Sequence, residues 1–416
     1  MKRISTTILA ILFLTFYPVA LSASQIASID VVGYKPDASE EASRASKLPQ
    51  PTGSHLVGTV ILHLIDNTRK DTLGDKPDSL REIAVQIWYP AEASNQQKMA
   101  SYFPDARLID AMRKDGFYDQ KPEVINSLRE VSTHSALNAP VKKMVKKLPL
   151  IIFSHGLGVP RSLYTSIVEE LASHGYIVAA IDHPSGGMMI LPDGRVLTTI
   201  KGGTPEEATE QAAMWAGDVS FVLDQLTDPQ NKSAGRFANR IDINRIGMAG
   251  HSLGGAAALE ISLRDKRLKA CANMDGAPFG RAQKEGVGCH TLIIRSSPDY
   301  SDEDLARRGR TREQWEEMGR KGRAAYAAIF QSRSGTSVCQ VKIKGTGHMN
   351  FSDTPFVMPD TITRFGGRII EPARGFNLIS VYLRAFFDKH LLGKSSSLFE
   401  GPNNLYPEVS IEIFSK

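Results

Sequence analysis

The sequence predicts an α/β protein in which a mostly parallel central sheet carries helices on both faces. Three observations predict it. Short apolar runs alternate along the chain with stretches of helical periodicity. Several runs, such as LPLIIF at 148–153 and YIVAAI at 176–181, are apolar at nearly every position, as strands covered on both faces are. One run, at 246–249, breaks at a glycine-flanked serine and resumes as a helix rich in Ala and Leu.

At 416 residues the chain can hold one large α/β domain or two small ones, and it contains no internal repeat. The net charge of +5 falls to +3 without Lys2 and Arg3, too weak an excess to indicate nucleic acid. There is no zinc-type Cys/His spacing and no phosphate-binding glycine loop, so no metal, nucleotide or other cofactor is implied.

In chain order, residues 1–23 open with Lys2 and Arg3, continue in an apolar run from Ile8 to Leu14 extending towards Ala20, and reach small residues near Ala23. That is the pattern of a secretory signal peptide and predicts a secreted or periplasmic protein. The run is short for a membrane anchor, and Pro18 sits near its end. Residues 24–55 are polar, with Pro36, Pro49 and Pro51, and read as an extended arm. Two β-rich runs, Leu56–Ile65 and Ile83–Tyr89, look like antiparallel opening strands of a domain spanning 56–392. A cap-like insertion at about 98–147 mixes helical spacing (Leu108, Met112, Ile125, Leu128) with the basic cluster VKKMVKK. That cluster is either a solvated surface or a contact for anionic lipid.

The strand Leu148–Phe153 ends in Ser154-His155-Gly156-Leu157-Gly158, and a helix from Leu163 to His174 stops at Gly175. The next strand, Tyr176–Ile181, leads through Asp182-His183-Pro184 to a helix with Ala212, Trp215, Val219, Val222, Leu223 and Leu226 at helical spacing. After the serine unit come strands at Leu268–Met274, His290–Arg295 and Val338–Ile343. A second insertion, about 299–336, includes the mixed-charge helix RRGRTREQWEEMGRKGR. A last helix spans Gly375–Leu392, and 393–416 form a C-terminal tail.

The chemistry centres on Gly250-His251-Ser252-Leu253-Gly254. A serine at the apex of a strained strand-to-helix turn needs glycines where a side chain would meet its neighbours, and it gains a helix N-terminus for developing negative charge. This is the nucleophile elbow of an α/β-hydrolase fold. A serine hydroxyl is a weak nucleophile at neutral pH, so a base must take its proton and an acid must fix that base's tautomer. His348 fits the base: it follows the last of those strands in KGTGHMNFSD, on a loop where core packing would not ask for it. His251 adjoins the serine, which turns its ring away, and it reads as structural along with His183 and His390. Two carboxylates compete for the acid, Asp275 after the strand following the elbow and Asp299 after the next, and spacing alone does not decide. Asp275 directly ends an apolar strand, whereas Asp299 opens the run DYSDED, suited to a solvated helix start. One oxyanion donor is the N–H of Leu253, and a second is expected from the His155–Gly158 loop. His155 and Gly156 of that loop, Met188 and Met189 in GMMIL, and Phe351 at the head of an apolar stretch to Phe365 form the expected substrate-contacting set. Plain packing is the alternative for the Met and Phe side chains.

The segments SHGLGVPRSLYTSIVEELASHGYIVAAIDHP, GHSLGGAAA and KGTGHMNFSD together resemble the platelet-activating-factor acetylhydrolase family of the plasma or lipoprotein-associated type and its bacterial relatives, over about Val57–Leu392. The resemblance implies Asp275 as the acid and the Leu157 N–H as the second oxyanion donor. The chain departs from the mammalian members at 301–336 and in carrying Gly276-Ala277 where those have an aromatic pair, differences that bear on substrate. The expectation is therefore a secreted serine carboxylester hydrolase working through an acyl-enzyme on short or oxidised acyl esters, including platelet-activating-factor-like phospholipids. Transient contact with a lipid surface goes with such substrates. A broad-specificity esterase, lipase or polyester hydrolase is the second reading, and a non-catalytic hydrolase-fold binding protein the third. Of Cys271, Cys289 and Cys339, the last two border adjacent strands and are expected to pair as a disulfide in an exported protein, leaving Cys271 a buried thiol.

Overall fold

The computed structural model describes residues 48–415 apart from 74–77, 94–96, 116, 118–119, 199, 201–202, 232–234, 332–334 and 365–369. The expected signal peptide and most of the arm lie outside the described residues. The strands are β1 (Val57–Lys70), β2 (Leu80–Pro90), β3 (Met99–Ser101), β4 (Ser132–Leu137), β5 (Leu148–Ser154), β6 (Ile177–Asp182), β7 (Met189–Ile190), β8 (Val196–Leu197), β9 (Ile241–His251), β10 (Leu268–Met274), β11 (His290–Ser297), β12 (Ser337–Lys344) and β13 (Val409–Ser415). Eleven of them form one sheet in the order β13-β12-β11-β10-β9-β5-β6-β2-β1-β4-β3, and β7 and β8 form a separate two-stranded pair. From β6 through β5, β9, β10 and β11 to β12 every pairing is parallel. The β1–β2, β2–β6 and β12–β13 pairs are antiparallel.

The near-continuous apolar runs have a simple cause: alternate side chains leave a strand on opposite faces, and here both faces are roofed. In β5, Ile151 and Phe153 join one hydrophobic cluster while Leu150 and Ile152 join the other. Helices Thr165–Ser173 and Pro372–Leu392 cover the first face with Ile167, Val168, Leu171, Tyr382, Leu383 and Phe387. Helices Pro205–Thr227 and Leu253–Ser262 cover the second with Trp215, Val219, Leu223, Ala256 and Ala257. The long helix Pro205–Thr227 starts where it does because Thr204 and Glu207 cap each other reciprocally. The exit of the helix Thr165–Ser173 runs through Gly175, at φ +98°, which other residues rarely adopt.

Two expectations change. The stretch after Leu392 is not all tail: Val409–Ser415 returns to the sheet as its antiparallel edge strand beside β12. Nor do Cys289 and Cys339 pair. Leu292 lies opposite Cys339 in the β11–β12 register and shares its face, and Cys289 stands an odd three residues earlier, so its side chain leaves by the other face. Its Sγ instead lies 3.2 Å from that of Cys271, and all three cysteines are buried thiols. The basic cluster at 142–147 is largely solvent-facing, as is the mixed-charge helix Arg312–Ala324, whose one buried residue is Gly322. Among the described residues no helix is long and apolar enough to cross a membrane.

Candidate active site

Strand β9 delivers Ser252 to a turn at φ 55°, ψ −120°, and the helix Leu253–Ser262 begins at the next residue. Few non-glycine residues hold such a conformation, and the surroundings enforce it. A Cβ on Gly250 would stand 2.2 Å from the Gly254 carbonyl oxygen, and one on Gly254 would stand 2.3 Å from that of Ser154. The Ser252 N–H donates to Met274 O at 2.9 Å, tying the turn to the end of β10.

Asp275 follows directly, at φ 56°. Its Oδ2 accepts from His348 Nδ1 at 2.8 Å and from the Ser296 hydroxyl at 2.8 Å, and its Oδ1 accepts from the Ser296 amide at 2.8 Å. Burial opposes its charge, but the His348 ring, Arg295 and the Ser296 amide outweigh burial and hold the carboxyl below its ordinary value. A Cβ on Gly276 would fall 2.1 Å from Ser252 O, so the chain can pass here only as glycine. His348 opens a short 3-10 turn, His348–Phe351, after β12, and its ring centroid lies 4.4 Å from that of His251. Ser252 and His348 keep partial exposure, whereas His251 is buried.

His251 has a fixed part. Burial and the neighbouring His348 push its ring well below the usual value, so it is neutral. The Gly156 N–H donates to Tyr164 Oη at 2.9 Å, and that hydroxyl in turn meets His251 Nδ1 at 2.7 Å. In the same loop the Gly158 N–H donates to Gly186 O at 2.8 Å and the Val159 N–H to Gly156 O at 3.2 Å. Of the amides from Gly156 to Val159, only that of Leu157 has no acceptor among the described residues. The loop packs on the serine: a Cβ on Gly156 would lie 3.3 Å from Ser252 Cβ.

Behind the loop stands a second chain of the same three residue types. Ser154 Oγ lies 3.0 Å from His183 Nε2, His183 Nδ1 lies 2.8 Å from Asp218 Oδ2, and Arg81 clasps Asp218 through Nε at 2.6 Å and Nη2 at 2.7 Å. Ser154, His183, Asp218 and Arg81 are all fully buried. His183 also stacks on Trp215 at 4.2 Å.

The structure thus brings His348 to Asp275 and leaves Asp299 exposed, 3.7 Å from Lys344. It corrects most of the expected substrate-contacting set. Met188, Met189 and Phe351 are 2, 0 and 1 % exposed and pack in the core, Phe351 stacking on the His251 ring at 5.9 Å. His155 is 0 % exposed and turns inward to its own loop. Such long apolar side chains turn into the core because burial removes them from water. The sequence reading missed Ser296 and Tyr164. Ser296 had a signal: it is the first hydroxyl after the apolar run HTLIIR, beside Asp275 in a parallel register. Tyr164 had none, since its role depends on a turn that brings it back over eight residues. Among the described residues no group of His, Cys, Asp or Glu is arranged to hold a metal ion.

A family model described as platelet-activating factor acetylhydrolase, isoform II, matches residues 40–188 and 219–401. The chain is 26% identical to a "Probable 1-alkyl-2-acetylglycerophosphocholine esterase" of Arthroderma benhamiae, covering 87% of this chain and 92% of that one. It is 25% identical to the "Platelet-activating factor acetylhydrolase" of Canis lupus familiaris over 89% of this chain and 84% of the other. A solved ferulic acid esterase from Streptomyces cinnamoneus superposes with a TM-score of 0.68 at 30% identity, covering 88% of this chain and 99% of that one.

Proposed function

Because the chain belongs to the platelet-activating factor acetylhydrolase, isoform II, family of α/β-hydrolase-fold esterases, we propose that it hydrolyses carboxylic esters through an acyl-enzyme on Ser252. The observation that carries the reading is the 2.8 Å contact of His348 Nδ1 with Asp275, set beside an elbow serine. With Nδ1–H given to Asp275, His348 Nε2 is the atom that acts as the base. It takes the Ser252 proton as Oγ attacks the ester carbonyl. The oxyanion forms against the Leu253 and Leu157 amides, and collapse expels the alcohol with the proton from His348. A water molecule, deprotonated by the same ring, then releases the acid and restores Ser252. Asp275 stays ionised throughout and stabilises the imidazolium.

The substrates proposed are short-acyl esters, with acetylated glycerophospholipids of the platelet-activating-factor kind foremost, as the names of the fungal and canine relatives support. A broader esterase is the second reading, favoured by the near-complete coverage of the ferulic acid esterase. The pattern of residues 1–23 supports export, to be tested by sequencing the mature N-terminus. Two measurements test the enzyme. Ser252→Ala must abolish turnover of p-nitrophenyl acetate and labelling by a fluorophosphonate. An acyl-length series on phospholipid, p-nitrophenyl and feruloyl esters then separates the two readings: a steep fall beyond short acyl chains on phospholipid supports the first, and a preference for feruloyl esters the second.

A further inference from the structure

The Gly156–Leu157 peptide is held from behind by a side chain with no reach to substrate. His155 is fully buried, its ring edge-on to Trp215 at 4.9 Å and to His183 at 5.4 Å. Its Nε2 lies 3.2 Å from the His183 amide, which can only donate, so Nε2 accepts and the ring proton sits on Nδ1. Nδ1–H then donates to the Gly156 carbonyl at 2.7 Å. Burial, aided by His183, pushes the ring down to about 3, so it is neutral near pH 7 and this one tautomer persists.

We propose that His155 is a positioning residue for ester hydrolysis: by gripping the Gly156 carbonyl it aims the Leu157 N–H at the oxyanion. The inference rests on the reading of Leu157 as an oxyanion donor. In a planar trans peptide the C=O and the following N–H point in opposite directions, so fixing the first fixes the second. The peptide needs fixing, because it lies between Gly156 and Gly158, the latter at φ +76°. The other bond to Gly156 O, from the Val159 N–H, is long at 3.2 Å. The ring has little freedom of its own. A Cβ on Gly187 would stand 2.8 Å from His155 Cε1, and the segment carrying the His183 amide is tethered through its imidazole to Asp218 and Arg81. A chain of buried polar contacts therefore runs from Arg81 to an amide beside Ser252.

Two amide isosteres separate this role from plain packing. In His155→Asn the side-chain nitrogen takes the place of Nδ1 and can still reach Gly156 O; in His155→Gln the amide takes the place of Nε2 and cannot. The Gln variant should lose about 10²–10³-fold in kcat with KM little changed, the range for losing one oxyanion donor. The Asn variant should recover most of that loss, although each variant forfeits one of two hydrogen bonds and should melt at a similar temperature. Affinity for a trifluoromethyl ketone, whose adduct on Ser252 carries the oxyanion, should fall in step with kcat. Leu157→Pro deletes the N–H at a turn position that accepts proline. In that background His155→Gln should cost nothing further in kcat. Equal kcat in the Asn and Gln variants, or additive losses in the double variant, overturns the inference. If Leu157→Pro alone leaves kcat unchanged, the oxyanion reading itself fails, and this inference with it. Should the position-155 variants not fold, Gly187→Ala displaces the intact ring and must lower kcat in the same way; full kcat there overturns the inference.

Discussion

Asp275→Asn tests the proposed acid through hydrogen-bond geometry alone. The carboxylate accepts at both oxygens: Oδ1 from the Ser296 amide, Oδ2 from the Ser296 hydroxyl and His348 Nδ1, each at 2.8 Å. Asparagine has one acceptor oxygen. The Ser296 amide can only donate, so that oxygen stays at the Oδ1 position and the new NH₂ faces His348, while the Ser296 hydroxyl rotates to accept from it. An amide donating to Nδ1 forces the imidazole proton onto Nε2, the nitrogen proposed to receive the Ser252 proton. The ring is in place but in the wrong tautomer, a change that costs about 10⁴ in kcat in a serine protease, or about 5.5 kcal/mol. Asp299 is half exposed and 3.7 Å from an exposed Lys344, a pair worth under about 1 kcal/mol and with no contact to His348. Asp299→Asn should therefore leave kcat within about twofold. Both variants are assayed on p-nitrophenyl acetate, with a melting curve to show that the fold persists. More than about a tenth of wild-type kcat in Asp275→Asn, or a loss of several powers of ten in Asp299→Asn, refutes the reasoning.

Three further outcomes are expected. Gly276→Ala puts a methyl 2.1 Å from Ser252 O and must displace the elbow; kcat should fall by about 10²-fold, and wild-type turnover would count against the tightness of that contact. Glu169, accepting from the Ser135 hydroxyl and the His134 amide, is pushed by burial up to about 8 from 4.5. The folded state therefore binds a proton that the unfolded state has released, so this group stabilises at low pH and its contribution fades as pH rises from 4.5 to about 8; melting curves of Glu169→Gln should lack that slope. Treated with a thiol oxidant such as diamide, the protein should yield a Cys271–Cys289 crosslink and none to Cys339, which peptide mapping will read.

The parts of this molecule legible in its sequence are those set by local pattern. Apolar runs such as LPLIIF announced buried strands because a sheet roofed on both faces leaves no polar side. The elbow glycines announced the serine turn because backbone stands within 2.3 Å of where their side chains would be. What stayed hidden depends on register and on return paths. Cys289 and Cys339 sit at the right ends of adjacent strands, and only a one-residue parity puts them on opposite faces. The edge strand Val409–Ser415 is half exposed and takes its order from β12, so little in its own composition marks it. Met188, Met189 and Phe351 share the composition of a binding wall and of a packed core, and burial alone tells the two apart.

The Ser154–His183–Asp218 chain carries that last point into chemistry. Its contacts of 3.0 and 2.8 Å are as short as those expected of a working serine and its base. Yet burial pushes His183 below its ordinary value despite Asp218, and Arg81 engages the carboxylate from the other side. No ester can arrive, and no charge need develop on a ring already balanced where it lies. The same trio of residues serves once as a girder and, across His155 and Gly156, as the proposed tool that the girder steadies. Residue type describes both equally well; what fits only the proposed one to react is an open side facing water, where Ser252 and His348 keep partial exposure.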